Sequence, residues 1–373
     1  MKLALTGGGT GGHVYPAIAL AEAFAREADF APLDVLFVGT RDRLEARIVP
    51  KAGYPIAFVH AAPLTRKLSL ELVPMVVANL AGICEALAVL HRARPDVLIA
   101  TGGYVAFPVV AALRLVRALR RSQARIALLE PNAAAGLTNR LLAPLVDEIW
   151  YATAPPDRPL EPREIVVGMP VRDSMRRPEE PERARVALGL DPVKTTLVVL
   201  GGSQGARTIN DAALAFAADG LPEGWQMLVV AGEREFARCK ERAQDRPGVR
   251  VVGYLDDPRV AYAAADLVVA RAGASTLGEL AATATPALLV PYPFATDDHQ
   301  ALNARAYAAG GAARVVPDAE LDARRLRAEC EAALAPDARA ALRAAARLLA
   351  QSDPRAAVVA RVKRWLAANT AAP

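Results

Sequence analysis

Lys2-Leu3-Ala4-Leu5-Thr6-Gly7-Gly8-Gly9-Thr10-Gly11-Gly12-His13 opens the chain. An apolar run of strand length passes straight into a glycine loop, and 14–28 then reads as a helix. A glycine loop between a strand and a helix lets backbone N–H groups approach an anion closely, and the helix dipole favours negative charge there. The same order returns in mid-chain, where 195–200 runs into Gly201-Gly202-Ser203-Gln204-Gly205. Each half therefore opens with strand, glycine loop and helix. Such glycines also serve plain tight turns, but two loops that each open a half point to ligand binding.

Outward from the first loop, strands are expected over 34–38, 56–59, 96–100, 125–129 and 148–151, with helices over 14–28, 70–92, 107–120 and 132–142. The second half repeats the alternation, with strands over 195–200, 227–231, 249–253, 266–270 and 287–291. Near-continuous apolar strands alternating with helices imply parallel sheets covered on both faces. The proline-rich stretch 154–162 marks the approach to a hinge. The expected class is α/β with two doubly wound, Rossmann-like domains, over 1–164 and 165–354, the helix over 355–373 being assigned back to the first domain.

Composition narrows the classes. At 373 residues and 53% hydrophobic, the chain can build two cores. No uninterrupted apolar run reaches about 18 residues, so no transmembrane helix is expected, and the N-terminus lacks the pattern of a signal peptide. Cys84, Cys239 and Cys330 are scattered and odd in number, which suits a reducing cytoplasm and argues against a disulfide scaffold or a zinc site. A net charge of +5 suggests an anionic ligand or surface. Sparse aromatics argue against nucleic acid.

The first loop formally matches G-x-G-x-x-G at Gly7, Gly9 and Gly12. A dinucleotide fold also needs an acid at the end of its second strand, whereas here that strand ends Val38-Gly39-Thr40-Arg41. A nicotinamide or flavin enzyme is therefore not expected, and no cofactor is called for. A third cluster, Thr101-Gly102-Gly103-Tyr104, follows the strand over 96–100, again at a carboxyl end where α/β sheets bind ligands.

Five motifs stand in order: Gly7–His13, Gly102-Gly103-Tyr104-Val105, Gly201–Ala206, Arg271-Ala272-Gly273-Ala274-Ser275-Thr276-Leu277-Gly278-Glu279 and Asp297-Asp298-His299-Gln300-Ala301-Leu302-Asn303. Together they resemble the family of UDP-N-acetylglucosamine–N-acetylmuramyl-(pentapeptide) pyrophosphoryl-undecaprenol N-acetylglucosamine transferases, over nearly the whole chain. The resemblance implies a GT-B fold with the active site between two Rossmann-like domains. It also implies inverting transfer of GlcNAc from UDP-GlcNAc to the C4 hydroxyl of lipid-linked MurNAc (lipid I), giving lipid II for peptidoglycan. Two positions depart from the family: Pro131 stands where Gln is usual, and Met169 where Asn is usual. Each removes side-chain hydrogen-bonding capacity, while Asn132 and Arg172 still match.

The resemblance and side-chain chemistry together nominate the site. Glu279 is the candidate for the ribose hydroxyls, since a carboxylate accepts two charge-assisted bonds. By resemblance Tyr254 and Leu255 flank the uracil. Ser203, the loop amides and Ala274, Ser275 and Thr276 meet the diphosphate, with Arg172 as a guanidinium clamp. No Asp-x-Asp motif occurs, so helix ends and arginine are expected to neutralise phosphate without a metal. Gln300 and His299 face the sugar, supported by Asn303, because amides both donate and accept. His13 is the candidate general base, with Glu130 as the alternative. Thr10, Gly11, Gly12 and Asn132 complete the substrate set, and Gly9, Gly102, Gly103 and Tyr104 face the acceptor diphosphate.

A polyprenyl acceptor demands a membrane surface. The stretch 62–81 carries Leu64, Leu68, Leu70, Leu72, Val73, Met75, Val76 and Val77 beside Arg66 and Lys67, and Arg114, Arg117, Arg120, Arg121 and Arg125 lie in a stretch without acids. That pattern suits peripheral binding at the cytoplasmic face of an anionic inner membrane, where other cell-wall synthesis proteins would be neighbours. Ordinary core plus a solvated arginine face is the plainer reading. Competing functions are a UDP-GlcNAc 2-epimerase, a diacylglycerol glycosyltransferase and a non-catalytic UDP-sugar-binding partner. The ordered motifs favour the lipid II-forming transferase. An epimerase would need further carboxylates, and a partner protein would usually lack one domain.

Overall fold

The apolar runs of the first half become seven strands: β1 (Lys2–Thr6), β2 (Asp34–Gly39), β3 (Ile56–Phe58), β4 (Val97–Ala100), β5 (Arg125–Glu130), β6 (Glu148–Tyr151) and β7 (Glu164–Val166). They pair in the order β3-β2-β1-β4-β5-β6-β7, every pairing parallel. The second half gives β8 (Thr195–Leu200), β9 (Trp225–Val230), β10 (Val249–Val252), β11 (Leu267–Ala270), β12 (Ala287–Leu289) and β13 (Ala313–Val315). Their order is β10-β9-β8-β11-β12-β13, again all parallel. The computed structural model describes residues 1–64, 72–156, 158–177, 179–202 and 205–370.

The chain divides into two compact units, Met1–Arg172 with Asp353–Pro373, and Asp173–Ser352. The first runs past residue 164 because β7 is the seventh strand of its sheet and its pairing with β6 continues beyond that point. β7 and β13 were not foreseen. Each is a three-residue edge strand, too short to show a period. The helix Leu44–Lys51 was likewise unforeseen. Two helix starts also differ. The first helix begins at Gly11, inside the glycine motif. The helix expected from 132 begins at Leu137, because the preceding turn is held by Glu130.

Cores lie on both faces of the first sheet. Leu3, Leu5, Ile99 and Trp150 pack with Ile18, Leu20 and Phe24 of the helix Gly11–Ala25 and with Val358, Val362 and Trp365 of the C-terminal helix Pro354–Thr370. On the other face, Leu98, Ile126 and Leu128 meet the helices Leu72–Ala93 and Ala106–Ala118. In the second unit Leu197, Val199, Val229 and Val269 pack against Ile209, Phe216 and Leu326.

The C-terminal helix is fastened by carboxylates: Lys363 pairs with Glu27 at 2.6 Å and with Asp29 at 2.7 Å, and Glu148 takes three side chains. Glu148 accepts from Arg361 Nε at 2.7 Å, from Trp150 Nε1 at 2.9 Å and from Trp365 Nε1 at 3.0 Å. The two indole rings lie 5.6 Å apart. Burial raises the Glu148 pKa, but the Arg361 guanidinium and the indole donors outweigh it, so the carboxyl titrates below its usual range.

Arg361→Ala leaves this buried carboxylate without its cation. We expect a loss of about 3 kcal/mol of stability in the first unit, measured by urea unfolding. Since the folded-state pKa is depressed, the Arg361 contribution is present above the unfolded carboxyl pKa and fades as pH falls through the folded one.

Candidate functional site

In both sheets the winding direction reverses beside the first strand of the unit, between β1 and β4 and between β8 and β11. Open α/β sheets bind ligands outside the carboxyl ends of strands at such a switch point. The sequence motifs fall on those ends.

In the first unit the loops after β1 and β4 are locked together. Thr101 Oγ1 donates to the His13 carbonyl at 2.7 Å. In return His13 Nδ1 lies 2.9 Å from the Thr101 carbonyl. A carbonyl can only accept, so Nδ1 carries the proton and the neutral ring has Nε2 as its acceptor. Burial, outweighing the Thr101 carbonyl and the charge of Glu45, holds the imidazole pKa below its usual value. Close approach of the two loops explains these glycines. A Cβ on Gly7 would lie 2.0 Å from Thr101 Oγ1, and one on Gly103, whose φ is +79°, would lie 2.4 Å from the Gly8 carbonyl. Gly102 faces the His13 ring, and Tyr104 packs over Gly9.

Glu45, which sequence reasoning missed, organises this loop. It is 1% exposed and accepts from Gly9 N at 3.0 Å, Thr40 N at 3.1 Å and Thr40 Oγ1 at 2.7 Å. The Gly9 N–H is thus bonded to a carboxylate in this structure. Gly11 and Gly12 sit in the first helical turn, where N–H groups have no intrahelical acceptor. Thr10 precedes them, exposed.

Glu130 is also buried, and burial pushes its pKa up to about 7 against the pull of its hydrogen-bond donors. Oε1 accepts from Asn132 N at 2.9 Å and Nδ2 at 3.3 Å; Oε2 accepts from Asn139 Nδ2 at 2.7 Å and Gly136 N at 3.4 Å. Both oxygens are engaged in shaping the 131–136 turn, and Asn132 is part of that arrangement. Arg172 lies with its guanidinium 4.2 Å from the centroid of the Tyr15 ring. That ring in turn covers Gly11, where a Cβ would meet it at 3.1 Å. Arg172 is therefore placed beside the first-loop helix by a cation–π contact.

The second unit repeats the plan with other chemistry. Gly202 and Gly205 have φ of +70° and +83°. A Cβ on Gly205 would lie 2.7 Å from the Ala231 carbonyl, so the loops after β8 and β9 pack backbone to backbone. Ser203 lies outside the described residues. After β11, the helix Ala274–Ala282 begins with Ala274, Ser275 and Thr276, and the buried Ser275 Oγ has no hydrogen-bond partner. Glu279 follows on this helix and accepts from the Tyr262 phenol at 2.8 Å. Tyr254 and Leu255 follow β10, the first exposed and the second half-buried. After β12, Gln300 Oε1 accepts from Tyr292 N at 3.0 Å and His299 Nδ1 donates to the Thr296 carbonyl at 2.8 Å. Asn303 ties this helix to the Ala272 carbonyl at 3.2 Å.

Two parallel sheets in this order, with glycine loops and helix N-termini at their switch points, define a GT-B glycosyltransferase. Residues 3–151 match the glycosyltransferase family 28 N-terminal domain and residues 196–358 its C-terminal domain. Relatives bear the name UDP-N-acetylglucosamine–N-acetylmuramyl-(pentapeptide) pyrophosphoryl-undecaprenol N-acetylglucosamine transferase. That of Salinibacter ruber is 43% identical, covering 86% of this chain and 84% of its own. That of Desulforudis audaxviator is 40% identical over 95% of both. The crystal structure of Acinetobacter baumannii MurG superposes with a TM-score of 0.75 at 25% identity, covering 97% of this chain and 99% of that one. The chain belongs to this transferase family.

Glu45→Ala leaves the Gly9 and Thr40 donors unpaired in the interior. It should cost about 3 kcal/mol of first-unit stability, read as a lowered urea midpoint.

Proposed function

We propose that this protein transfers GlcNAc from UDP-GlcNAc to the C4 hydroxyl of MurNAc in undecaprenyl-diphosphoryl-MurNAc-pentapeptide (lipid I), with inversion, forming lipid II. The observation that carries the mechanism is the His13 ring, fixed by its Nδ1 contact with the Thr101 carbonyl so that Nε2 is the acceptor of the neutral form, with burial lowering its pKa. Nε2 takes the C4 hydroxyl proton as that oxygen bonds to C1 of GlcNAc. The bond from C1 to the β-phosphate oxygen breaks, and UDP leaves with the electron pair. One such displacement inverts the anomeric centre. Glu130 is the weaker candidate base, since both its oxygens already serve the 131–136 turn.

The second unit suits the donor. Ser275 Oγ and the open N–H groups of the helix Ala274–Ala282 take the diphosphate. Glu279 takes the ribose, Leu255 the uracil, and Gln300 and His299 the sugar. In the first unit, Gly11, Gly12, Gly102 and Gly103 face the acceptor, with Arg172 as a further phosphate ligand.

Docking at the cytoplasmic face of the membrane fits the helix Leu72–Ala93. It is long and apolar enough to cross a membrane by length and composition alone, with Asn79 and Glu85 interrupting the apolar run. Its buried side holds Asn79, Gly82, Ala86 and Leu90, with Gly82 pressed on the His60 carbonyl. The opposite side exposes Val73, Val76, Val77 and Leu80 at helical spacing, and Leu115 and Leu119 are exposed on the helix Ala106–Ala118 and its C-cap. These features support interfacial binding with one face kept within the unit. The basic stretch is smaller than expected. Arg117 is paired with Asp147 at 2.7 Å, and Arg125 lies 3.9 Å from the same carboxylate, which leaves Arg114, Arg120 and Arg121 exposed. Arg66, Lys67, Leu68 and Leu70 lie outside the described residues.

The decisive assay is transfer from radiolabelled UDP-GlcNAc to a lipid I analogue, where no lipid-linked disaccharide would refute the reading. His13→Ala should lower turnover at least 100-fold with UDP affinity within about twofold. In the parent, kcat/KM should fall on the acid side with an apparent pKa below about 6.5, the usual imidazole value, because protonation removes the acceptor at Nε2. Val77→Asp with Leu80→Asp should reduce co-sedimentation with anionic vesicles at least tenfold, and equal binding of parent and variant would exclude this face.

A further inference from the structure

Tyr262 sits on the short helix Arg259–Ala264, 3% exposed. Its hydroxyl donates to Glu279 Oε2 at 2.8 Å across to the helix Ala274–Ala282. The phenol pKa is raised well above its usual value, by burial first and then by the Glu279 carboxylate, so the group remains a donor at any working pH. A long carboxylate side chain on a helix otherwise samples several rotamers, and fixing it before a ligand arrives removes an entropic cost of binding. Neither the glycine loops nor the motif 271–279 contains this phenol, which lies 17 positions before the carboxylate.

We propose that Tyr262 is a positioning residue for the nucleotide. By donating to one oxygen of Glu279 it sets the rotamer in which that carboxylate meets the vicinal hydroxyls of a ribose, and so contributes to recognition of a ribonucleoside diphosphate over its deoxy counterpart. The proposal rests on the ribose role of Glu279. Removing the phenol oxygen keeps the ring in the core. It takes away the hydrogen bond by which the phenol holds Glu279 Oε2.

The test measures UDP and 2′-deoxy-UDP binding by calorimetry to the full chain and to Tyr262→Phe and Glu279→Gln. For the parent, UDP should bind more tightly than 2′-deoxy-UDP. In Tyr262→Phe, UDP affinity should drop about tenfold while 2′-deoxy-UDP affinity changes less than twofold, so that the ratio between the ligands shrinks. A parallel loss of both ligands is the signature of general damage to the fold and overturns the proposal, as does an unchanged ratio. In Glu279→Gln, an undiminished ratio would remove Glu279 from the ribose and the proposal with it. A ratio that collapses in Glu279→Gln but stays intact in Tyr262→Phe would retain the carboxylate's role and reject the phenol's.

Discussion

Two hydrogen bonds running in opposite directions between Thr101 and His13 hold the first unit's site in shape. They join the loop after β1 to the loop after β4, the two strands between which the sheet changes winding direction. For the bonds to form the loops must lie close: a Cβ on Gly7 would collide with the Thr101 hydroxyl and one on Gly103 with the Gly8 carbonyl. The imidazole tautomer is then a consequence of chain path: Nδ1 is spent on a carbonyl, so the ring's acceptor is Nε2. The glycine motif is thus a packing constraint as well as an opening to the strand end, and the Gly9 N–H is drawn to Glu45.

The second unit meets a similar steric demand, with Asn210 Nδ2 donating to the Ala231 carbonyl at 3.0 Å. Gly205 and Gly232 let the loops after β8 and β9 touch directly. What differs is the polar equipment around the switch point. The first unit carries an imidazole and, through the Tyr15 ring, a guanidinium. The second carries an unpaired hydroxyl at a helix start and a carboxylate held by a phenol. One sheet plan has been furnished twice, which accounts for the sequence echo of the two loops without requiring their ligands to be alike.

Strand positions were legible because buried parallel strands are apolar throughout, as in Val97–Ala100 and Leu267–Ala270. The glycine motifs were legible because positive φ and close approach leave few alternatives to glycine. Glu45, Tyr262 and Tyr15 were not legible as parts of the site. Glu45 contacts Gly9 across 36 residues, and a Tyr or Glu alone carries no mark of its partner. Glu130 was visible as a carboxylate at a strand end, but its commitment to Asn132, Gly136 and Asn139 depends on the turn that it shapes. The arginine stretch misled for a similar reason: Asp147, which takes up Arg117 and approaches Arg125, lies outside it in sequence.

The buried carboxylates set an electrostatic problem that the fold resolves locally. Glu45 favours the protonated form of His13, while burial of the ring opposes it more strongly. A base that was protonated at rest could not accept a proton, and burial of the ring beside Gly102 and Gly103 shifts it toward the neutral form. The Glu45 charge, directed at Gly9 and Thr40, is in turn dispersed over three donors and offsets only part of the effect of burial. Loosening either loop would disturb both effects at once, because the residues that bury the imidazole are those that require the backbone contact. The burial of the His13 ring and the close packing of the two glycine loops are therefore a single property of this site.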